Sequence, residues 1–224
     1  MIYSFIDMDS FNEADFAGLW PLLSAQRKVK VERLRFFKHR KQSALAYILL
    51  RYALLCEKGI EEMVDFDIGP FGKPSIKGRP EIFFNLSHSN RGVVCALSGF
   101  PVGIDIADVE PQNLSCIKTS MHRNEQLAIR QSNDMARSFA KFWAMKESYL
   151  KHAGTGIDEK IAELDFSKCS GDFFEYGSLK MQIKHTRHSV ISCCASEILP
   201  VKSVNITDLF NILLGEKNGK ITVS

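Results

Sequence analysis

The chain of 224 residues is 45% hydrophobic and 25% charged, with a net charge of +3 at pH 7. This composition allows one large domain or two small ones, each with a hydrophobic core. No apolar run has membrane-spanning length, and the amino terminus, MIYSFIDMDS, lacks the basic start and long apolar core of a signal peptide. We therefore expect neither a membrane-spanning nor a secreted protein but a cytosolic one, in which the six cysteines stay reduced.

Basic residues are concentrated in one segment near the amino terminus. Between Arg27 and Arg51, nine lysines and arginines accompany a single acidic residue, Glu32. Such a segment favours an anionic partner, which is a small ligand with phosphates, a nucleic acid or an acidic protein. A solvated helix face would have the same composition, so charge alone leaves these alternatives open.

Apolar periodicity and turn residues predict the elements of the first half. They are a strand at residues 2–8, a short helix at 16–24, a long helix at 42–58, and strands at 64–68, 82–87, 93–98 and 102–106. Gly59 is placed to cap the carboxyl end of the long helix. The glycines and prolines of residues 69–80 predict an irregular turn.

The second half repeats the order of a long helix followed by short strands. We predict helices at 125–129, 136–152 and 208–214, and strands at 162–166, 178–184 and 189–195. The repeated order predicts an α+β fold of two similar subdomains related by a pseudo-twofold, each with a long helix on a small antiparallel sheet. We place their boundary so that residues 1–102 and 103–224 form the two subdomains, with the active site in the cleft between them.

The predicted helix that contains FAKFWAMKESYLK carries charges beside its apolar face. Trp143, Glu147 and Lys151 are four residues apart and therefore lie on one face of the helix. Taken alone, Glu147 and Lys151 are typical of a solvated surface pair. A second carboxylate, Asp105, follows Gly103 between apolar neighbours on a predicted strand, where burial is costly without a compensating cation or donor.

These residues have one common explanation. Two carboxylates suit Mg²⁺, which prefers one or two carboxylates together with water and substrate phosphates. Lys73, His88 and Lys151 would supply further partners for the phosphates. A metal-bound diphosphate is therefore the economical interpretation.

Four motifs resemble those of the phosphopantetheinyl transferases of the Sfp type. A G-[IV]-D motif stands at Gly103–Asp105, and a W-x-x-K-E-x-x-x-K motif stands at Trp143–Lys151. The upstream elements G-K-P and F-N-[IL]-S-H-S stand at Gly72–Pro74 and Phe84–Ser89. They occur in the order and at the spacing of the family, and the length fits its two-subdomain form.

The resemblance implies transfer of 4'-phosphopantetheine from coenzyme A (CoA) to a serine of a carrier protein, with release of 3',5'-ADP. It implies that Asp105 and Glu147 bind Mg²⁺, for which Mn²⁺ is an alternative, and that the ion holds the CoA pyrophosphate. Glu147, or a metal-bound water that it orients, would accept the serine proton. Lys151 would stabilise charge on the phosphates.

The resemblance also implies a CoA site in the first subdomain. His88 matches the phosphate-binding histidine of the family, and Lys73 and Ser87 are expected at the CoA phosphates or adenosine. The basic region aligns poorly with the family, so Arg40 and Lys41, with Lys28 as a further candidate, are our interpretation for the 3'-phosphate.

Two positions depart from the family pattern. Many members have a second acid two residues after the aspartate, where this chain has Ala107. Asp108 is adjacent but points to the opposite face of the strand, so we predict two protein ligands with water completing the metal shell. Glu125 resembles the glutamate of a family F-x-x-x-E element that here begins with Met121, and the sequence assigns it no role.

The partner implied is an acyl or peptidyl carrier protein that is acidic around its serine, and the short two-subdomain form predicts a monomer. Nucleic acid is disfavoured because the rest of the chain is acidic, and no membrane partner is expected. The alternative is a catalytically inactive relative that binds CoA or docks a carrier. The intact Asp105, Glu147 and Lys151 argue against it.

Overall fold

The structure, a computed structural model, describes residues 1–156 and 159–215, without the side chains at 112, 113, 159 and 160. The first half contains β1 (Ile2–Phe5), α1 (Glu13–Leu19), α2 (Ala25–Glu32), α3 (Phe37–Lys58), β2 (Phe66–Ile68), β3 (Pro74–Ile76), β4 (Phe83–His88), β5 (Val93–Ser98) and β6 (Val102–Asp108). Then follow α4 (Ile117–Ser120), α5 (Arg123–Gln131), α6 (Met135–Ala153), β7 (Phe173–Tyr176), β8 (Leu179–His185), β9 (Ser189–Ala195), β10 (Val201–Ser203) and α7 (Ile206–Leu213). Short 3₁₀ helices lie at Trp20–Leu22, Pro111–Cys116 and Glu159–Glu163.

Two four-stranded sheets form the centre of the described chain. The first has the order β10-β1-β5-β4 and the second β6-β9-β8-β7, while β2 and β3 form a separate hairpin. The second sheet is antiparallel throughout, whereas β10 pairs with β1 in parallel, with Ile2 opposite Val201. The predicted α+β class is confirmed, and the first sheet is mixed because a C-terminal strand joins it.

Each sheet has one face on a long helix and the other on its partner sheet. In the first sheet, Val93 and Cys95 pack in the core beneath α3, whereas Val94 and Ala96 pack in a separate core between the sheets. In the second sheet, Cys194 faces the core beneath α6 and Cys193 faces the core between the sheets. Because both faces are covered, these strands read as continuous apolar runs.

The carboxyl-terminal elements return to the first half. Beyond β10, Val204 and Leu209 are buried in the core beneath α3, and Phe210 packs against it. Residues 201–213 therefore complete the first sheet and its core, while the division of the chain at residue 102 stays a prediction.

Several secondary-structure predictions need correction. The helix predicted at 16–24 is replaced by α1, a 3₁₀ turn and the separate helix α2. The predicted strand at 162–166 is wrong, because the residues form the end of a 3₁₀ helix and a loop in which Phe166 is fully buried. The turn at 69–80 contains β3, whose Pro74 opens the strand at the position where a missing N–H is tolerated. Helix α3 begins at Phe37, five residues before the predicted start, and ends as predicted at Gly59 with φ of 64°.

Within residues 1–156 and 159–215, none of the helices combines the length and the apolarity needed to cross a membrane.

Candidate active site

Helix α6 lies directly on β6 because Gly103 has no side chain. A Cβ atom at Gly103 would come within 2.0 Å of the Ser148 carbonyl oxygen and 2.3 Å of the His152 nitrogen. The close approach at this glycine is thus made by the backbone of α6. It brings the face of α6 that carries Glu147 and Lys151 over Asp105, two residues further along β6.

Asp105, Lys151 and Ser87 form a triangle of hydrogen bonds. The Lys151 ammonium donates to Asp105 Oδ1 over 2.6 Å and to Ser87 Oγ over 3.1 Å. The Ser87 hydroxyl in turn donates to Asp105 Oδ1 over 2.7 Å. One oxygen of the Asp105 carboxylate therefore receives two donors.

The other oxygen of Asp105 is left without a donor. Asp105 is 5% exposed, and among the described residues its Oδ2 atom has no hydrogen-bond partner. A buried acceptor without a partner is costly unless a ligand compensates it. A cation would compensate it.

Glu147 supplies the second carboxylate. Its side chain is buried, and its Oε2 atom lies 4.0 Å from Lys151 Nζ. Burial, together with the negative charge of Asp105, raises the pKa of Glu147 to about 7, and Lys151 opposes this shift. A Glu147 carboxylate whose ionisation is disfavoured in this way is poised to accept a positive charge beside it.

The donor set fits Mg²⁺ with two protein ligands. A free oxygen on Asp105 and the neighbouring Glu147 carboxylate are the hard oxygen ligands that this ion prefers. The described residues contain no cluster of three or more His, Cys, Asp or Glu side chains arranged to hold a metal. The remaining positions would therefore fall to water and to a ligand.

A small cavity lies beside Ala107, which stands where many members of the family have a second acid. Ala107 borders a cavity of about 320 Å³ together with Phe139, Ala140 and Trp143 of α6. Asp108 also borders this cavity, and its carboxylate accepts from the Asn90 backbone nitrogen over 2.8 Å and from Ser189 Oγ over 2.9 Å.

A larger cavity of about 480 Å³ opens beside β4. Leu86 and Pro74 give it apolar walls, and His88 lies at its edge. His88 ends β4 at an exposed position, and desolvation by the surrounding protein atoms, followed by the positive charge of Lys151, lowers its pKa. The surroundings of the His88 ring therefore favour an anion, and an anionic ligand would supply the negative charge.

The basic residues of this cavity include two from α2 that the sequence did not single out. Arg27 is 7% exposed, and its guanidinium lies 5.2 Å and 5.0 Å from the ring centroids of Tyr47 and Phe66. Burial, followed by the charge of Arg27, lowers the pKa of Lys30. The signal that would have found them is their spacing of three residues on an amphipathic helix, which the sequence analysis treated as part of one basic segment.

Other predicted anion-binding residues are engaged with backbone carbonyls. Arg40 donates to the oxygens of Leu34 and Glu32 over 2.7 Å and 3.3 Å, and Lys41 donates to that of Phe11 over 2.6 Å. Lys28 is half-buried on α2. These three residues are not among those that border the cavity of His88.

Lys73 joins the two halves at the end of α6. Its ammonium donates to the carbonyl oxygens of Lys151, His152 and Val102 over 2.5, 3.2 and 3.3 Å. A cation at the carboxyl end of a helix complements the helix dipole. The predicted contact with a phosphate is not tested by this geometry, which places Lys73 behind Lys151 and gives it a role in holding α6.

Glu125 and Lys146 form a fully buried ion pair. Lys146 Nζ lies 2.7 Å from Glu125 Oε2 and donates to the carbonyl oxygens of Ser120, Ile161 and Leu164. Glu125 also accepts the backbone N–H groups of its capping position and of Phe166. The structure thus gives Glu125 and the lysine of the W-x-x-K-E motif a packing role.

Comparison with known proteins points to one family. Residues 101–204 match the sequence model of the 4'-phosphopantetheinyl transferase superfamily. The 4'-phosphopantetheinyl transferase HetI of Nostoc sp. is 30% identical over 164 residues, which is 69% of this chain and 69% of that protein.

Two proteins of Bacillus subtilis are also similar. A 4'-phosphopantetheinyl transferase is 31% identical over 142 residues, which covers 61% of this chain and 63% of the relative. The 4'-phosphopantetheinyl transferase Sfp is 31% identical over 134 residues, which covers 57% and 60%. The chain thus spans about three fifths of the length of these two relatives.

Proposed function

Because the chain belongs to the 4'-phosphopantetheinyl transferase superfamily, we propose that it transfers the 4'-phosphopantetheine group of coenzyme A to a serine of an acyl or peptidyl carrier protein and releases 3',5'-ADP. The observation that carries this proposal is the convergence of Asp105, Glu147 and Lys151, from β6 and α6, at one point beside the cavity of His88. An inactive relative would have no need of this arrangement.

Asp105, through its free oxygen, and Glu147 would hold Mg²⁺, or Mn²⁺ as an equivalent ion. Such an ion neutralises charge on the attacked phosphoryl group and on the leaving phosphate. Lys151 donates to the other oxygen of Asp105 and would stabilise the remaining negative charge.

Glu147 is the residue of this chain best suited to accept the serine proton. Its pKa of about 7 lies near neutrality, where a general base combines an available ionised form with useful basicity. Its carboxylate is buried, so a proton taken from the serine is held away from bulk water.

The nucleotide end of CoA would occupy the cavity of about 480 Å³. Leu86 and Pro74 would contact the adenine, and His88, Lys30 and His39 would face phosphate. Arg40 and Lys41 remain candidates for the 3'-phosphate if they exchange their bonds to carbonyl oxygens for phosphate, and Lys28 remains a third. Ser87 and Lys73 remain candidates for contact with the CoA phosphates or the adenosine.

Electrostatic attraction would guide the carrier protein to the enzyme. The basic segment from Arg27 to Arg51 favours an acidic surface around the target serine, and steering of this kind suits a transient encounter. We further propose that the enzyme acts as a monomer, because both carboxylates and the cavity come from one chain, and that it works in the cytosol.

Intact-mass spectrometry of apo carrier proteins tests the proposal. Several carriers are incubated with this protein, CoA and Mg²⁺, and parallel samples contain EDTA. We expect a mass gain of one phosphopantetheine unit that is absent with EDTA and absent from a carrier whose serine is replaced by alanine. CoA binding without a mass gain on any carrier would favour the inactive relative.

A further inference from the structure

Polar side chains of β4 connect this strand of the first sheet to β6 of the second; we call this contact the seam between the sheets. Asn85 and Ser87 are two residues apart and are both buried, so they share the face of β4 that meets β6. The Asn85 side-chain oxygen accepts the backbone N–H of Ile104 over 2.9 Å, and the Ser87 hydroxyl donates to Asp105 over 2.7 Å. Side chains thus replace a backbone ladder between these strands.

Ser87 differs from an ordinary seam residue because its acceptor is Asp105. Both donors to Asp105, the hydroxyl of Ser87 and the ammonium of Lys151, bind Oδ1 and leave Oδ2 without a partner among the described residues. A carboxylate held by one oxygen presents the other in a fixed direction. The hydroxyl therefore decides which oxygen faces the site.

The two donors to Oδ1 are not equivalent. Lys151 is the longer side chain, is about one quarter exposed at 28%, and carries the charge that phosphates attract. If its ammonium turns toward a ligand, Ser87 is the donor that remains on Oδ1. Ser87 also accepts from Lys151, so it can hold the carboxylate in both arrangements.

We propose that Ser87 is a positioning residue for the metal ligand Asp105. Ser87 belongs to the first sheet, and Asp105 belongs to the second sheet. This role goes beyond the contact with CoA expected for Ser87 and rests on the proposed function, since it assumes that Asp105 binds a divalent cation. Partners that orient metal-binding carboxylates characteristically tune metal affinity.

The test is Mn²⁺ titration of the full chain by calorimetry and by electron paramagnetic resonance, in the presence of saturating CoA. We expect Ser87→Ala to weaken Mn²⁺ binding roughly tenfold. Ser87→Thr, which keeps the hydroxyl, should bind within about twofold of the wild type and thereby separate orientation from folding. Ser98→Ala is the matched control, because Ser98 is also 7% exposed, lies on the neighbouring strand and accepts from the Phe100 backbone instead of a metal ligand.

Two results would overturn the assignment. Unchanged Mn²⁺ affinity in folded Ser87→Ala would show that the hydroxyl does not orient Asp105. Weaker CoA binding by Ser87→Ala in EDTA, with Mn²⁺ affinity intact, would assign Ser87 to the nucleotide. Either result leaves the proposed function standing if the wild type transfers phosphopantetheine, whereas a wild type that neither binds Mn²⁺ nor modifies a carrier contradicts both.

Discussion

Lys146 Nζ lies 2.7 Å from Glu125 Oε2 in an ion pair whose two side chains are completely buried, one residue before Glu147. The pair ties α6 to α5, and the three carbonyl oxygens bound by Lys146 tie it to the segments around residues 120 and 161–164. The position of α6 over Asp105 depends on this anchor as well as on Gly103.

Removal of one partner of this ion pair leaves the other as an unpaired buried charge. We expect Lys146→Met to lower the free energy of unfolding by about 3–5 kcal/mol, measured by urea denaturation. Lys141→Met, on the same helix but partly exposed, should change it by less than about 0.5 kcal/mol. Adding Glu125→Gln to Lys146→Met removes the stranded charge and should restore part of the loss. A neutral effect of Lys146→Met would contradict the anchoring role.

Glu147→Gln keeps the shape of the side chain and removes its charge and basicity. We expect carrier modification to fall by roughly 10²- to 10⁴-fold, because both the metal ligand and the base are lost. CoA binding should remain measurable by calorimetry, since the cavity of His88 is untouched. Glu175→Gln, on an exposed position of β7, is the control. Turnover near the wild-type rate would show that α6 does not supply the base.

The raised pKa of Glu147 gives the metal-free protein a defined pH dependence. The native state holds its proton up to about pH 7, whereas an unfolded glutamate releases it near pH 4.5, so the native state binds more protons in this window. The unfolding free energy in EDTA should therefore fall by about 3 kcal/mol as the pH rises from 4.5 to 7. Glu147→Gln should lack this decline, and a wild type with a flat profile would contradict the shift.

Ala107→Glu tests the position of the missing acid. Ala107 borders the cavity of about 320 Å³ beside α6, on the face of β6 that also carries Asp105. A third carboxylate there should tighten Mg²⁺ binding roughly tenfold, because each added charged oxygen ligand favours the ion. Ala107→Gln, which adds bulk without charge, is the control. Equal Mg²⁺ affinity in Ala107→Glu and the wild type would mean that this side chain does not reach the metal.

Gly103→Ala probes the contact between β6 and α6. The added methyl group would meet backbone atoms at 2.0 Å and 2.3 Å, which cannot move without shifting the helix. We expect a loss of at least about 3 kcal/mol in unfolding free energy. Gly99→Ala places its Cβ where nothing lies within 4 Å, so it should change stability by less than about 1 kcal/mol. Equal stability of the two variants would exclude the tight contact.

Much of the architecture was predictable from local pattern. The long helices, the strands at 93–98 and 189–195 and the cap at Gly59 follow from periodicity and from a glycine in the left-handed conformation. The short strand β10 was missed because three residues that pair with a distant strand leave no local signal. The loop around Phe166 was misread as a strand because its apolar residues are buried without a sheet.

The sequence by itself identified the residues that we propose to carry the chemistry. Asp105, Glu147 and Lys151 stand in motifs whose order and spacing indicate the family, and the alternation of a strand predicts that Asp108 turns away. Only the tertiary structure decided how each residue is used. Ser87 and Lys73 donate to Asp105 and to the end of α6, and Arg27 and Lys30 border the cavity of His88. These roles depend on distances between segments far apart in the chain, and such distances are set by the packing of two sheets and two helices, which no local spacing encodes.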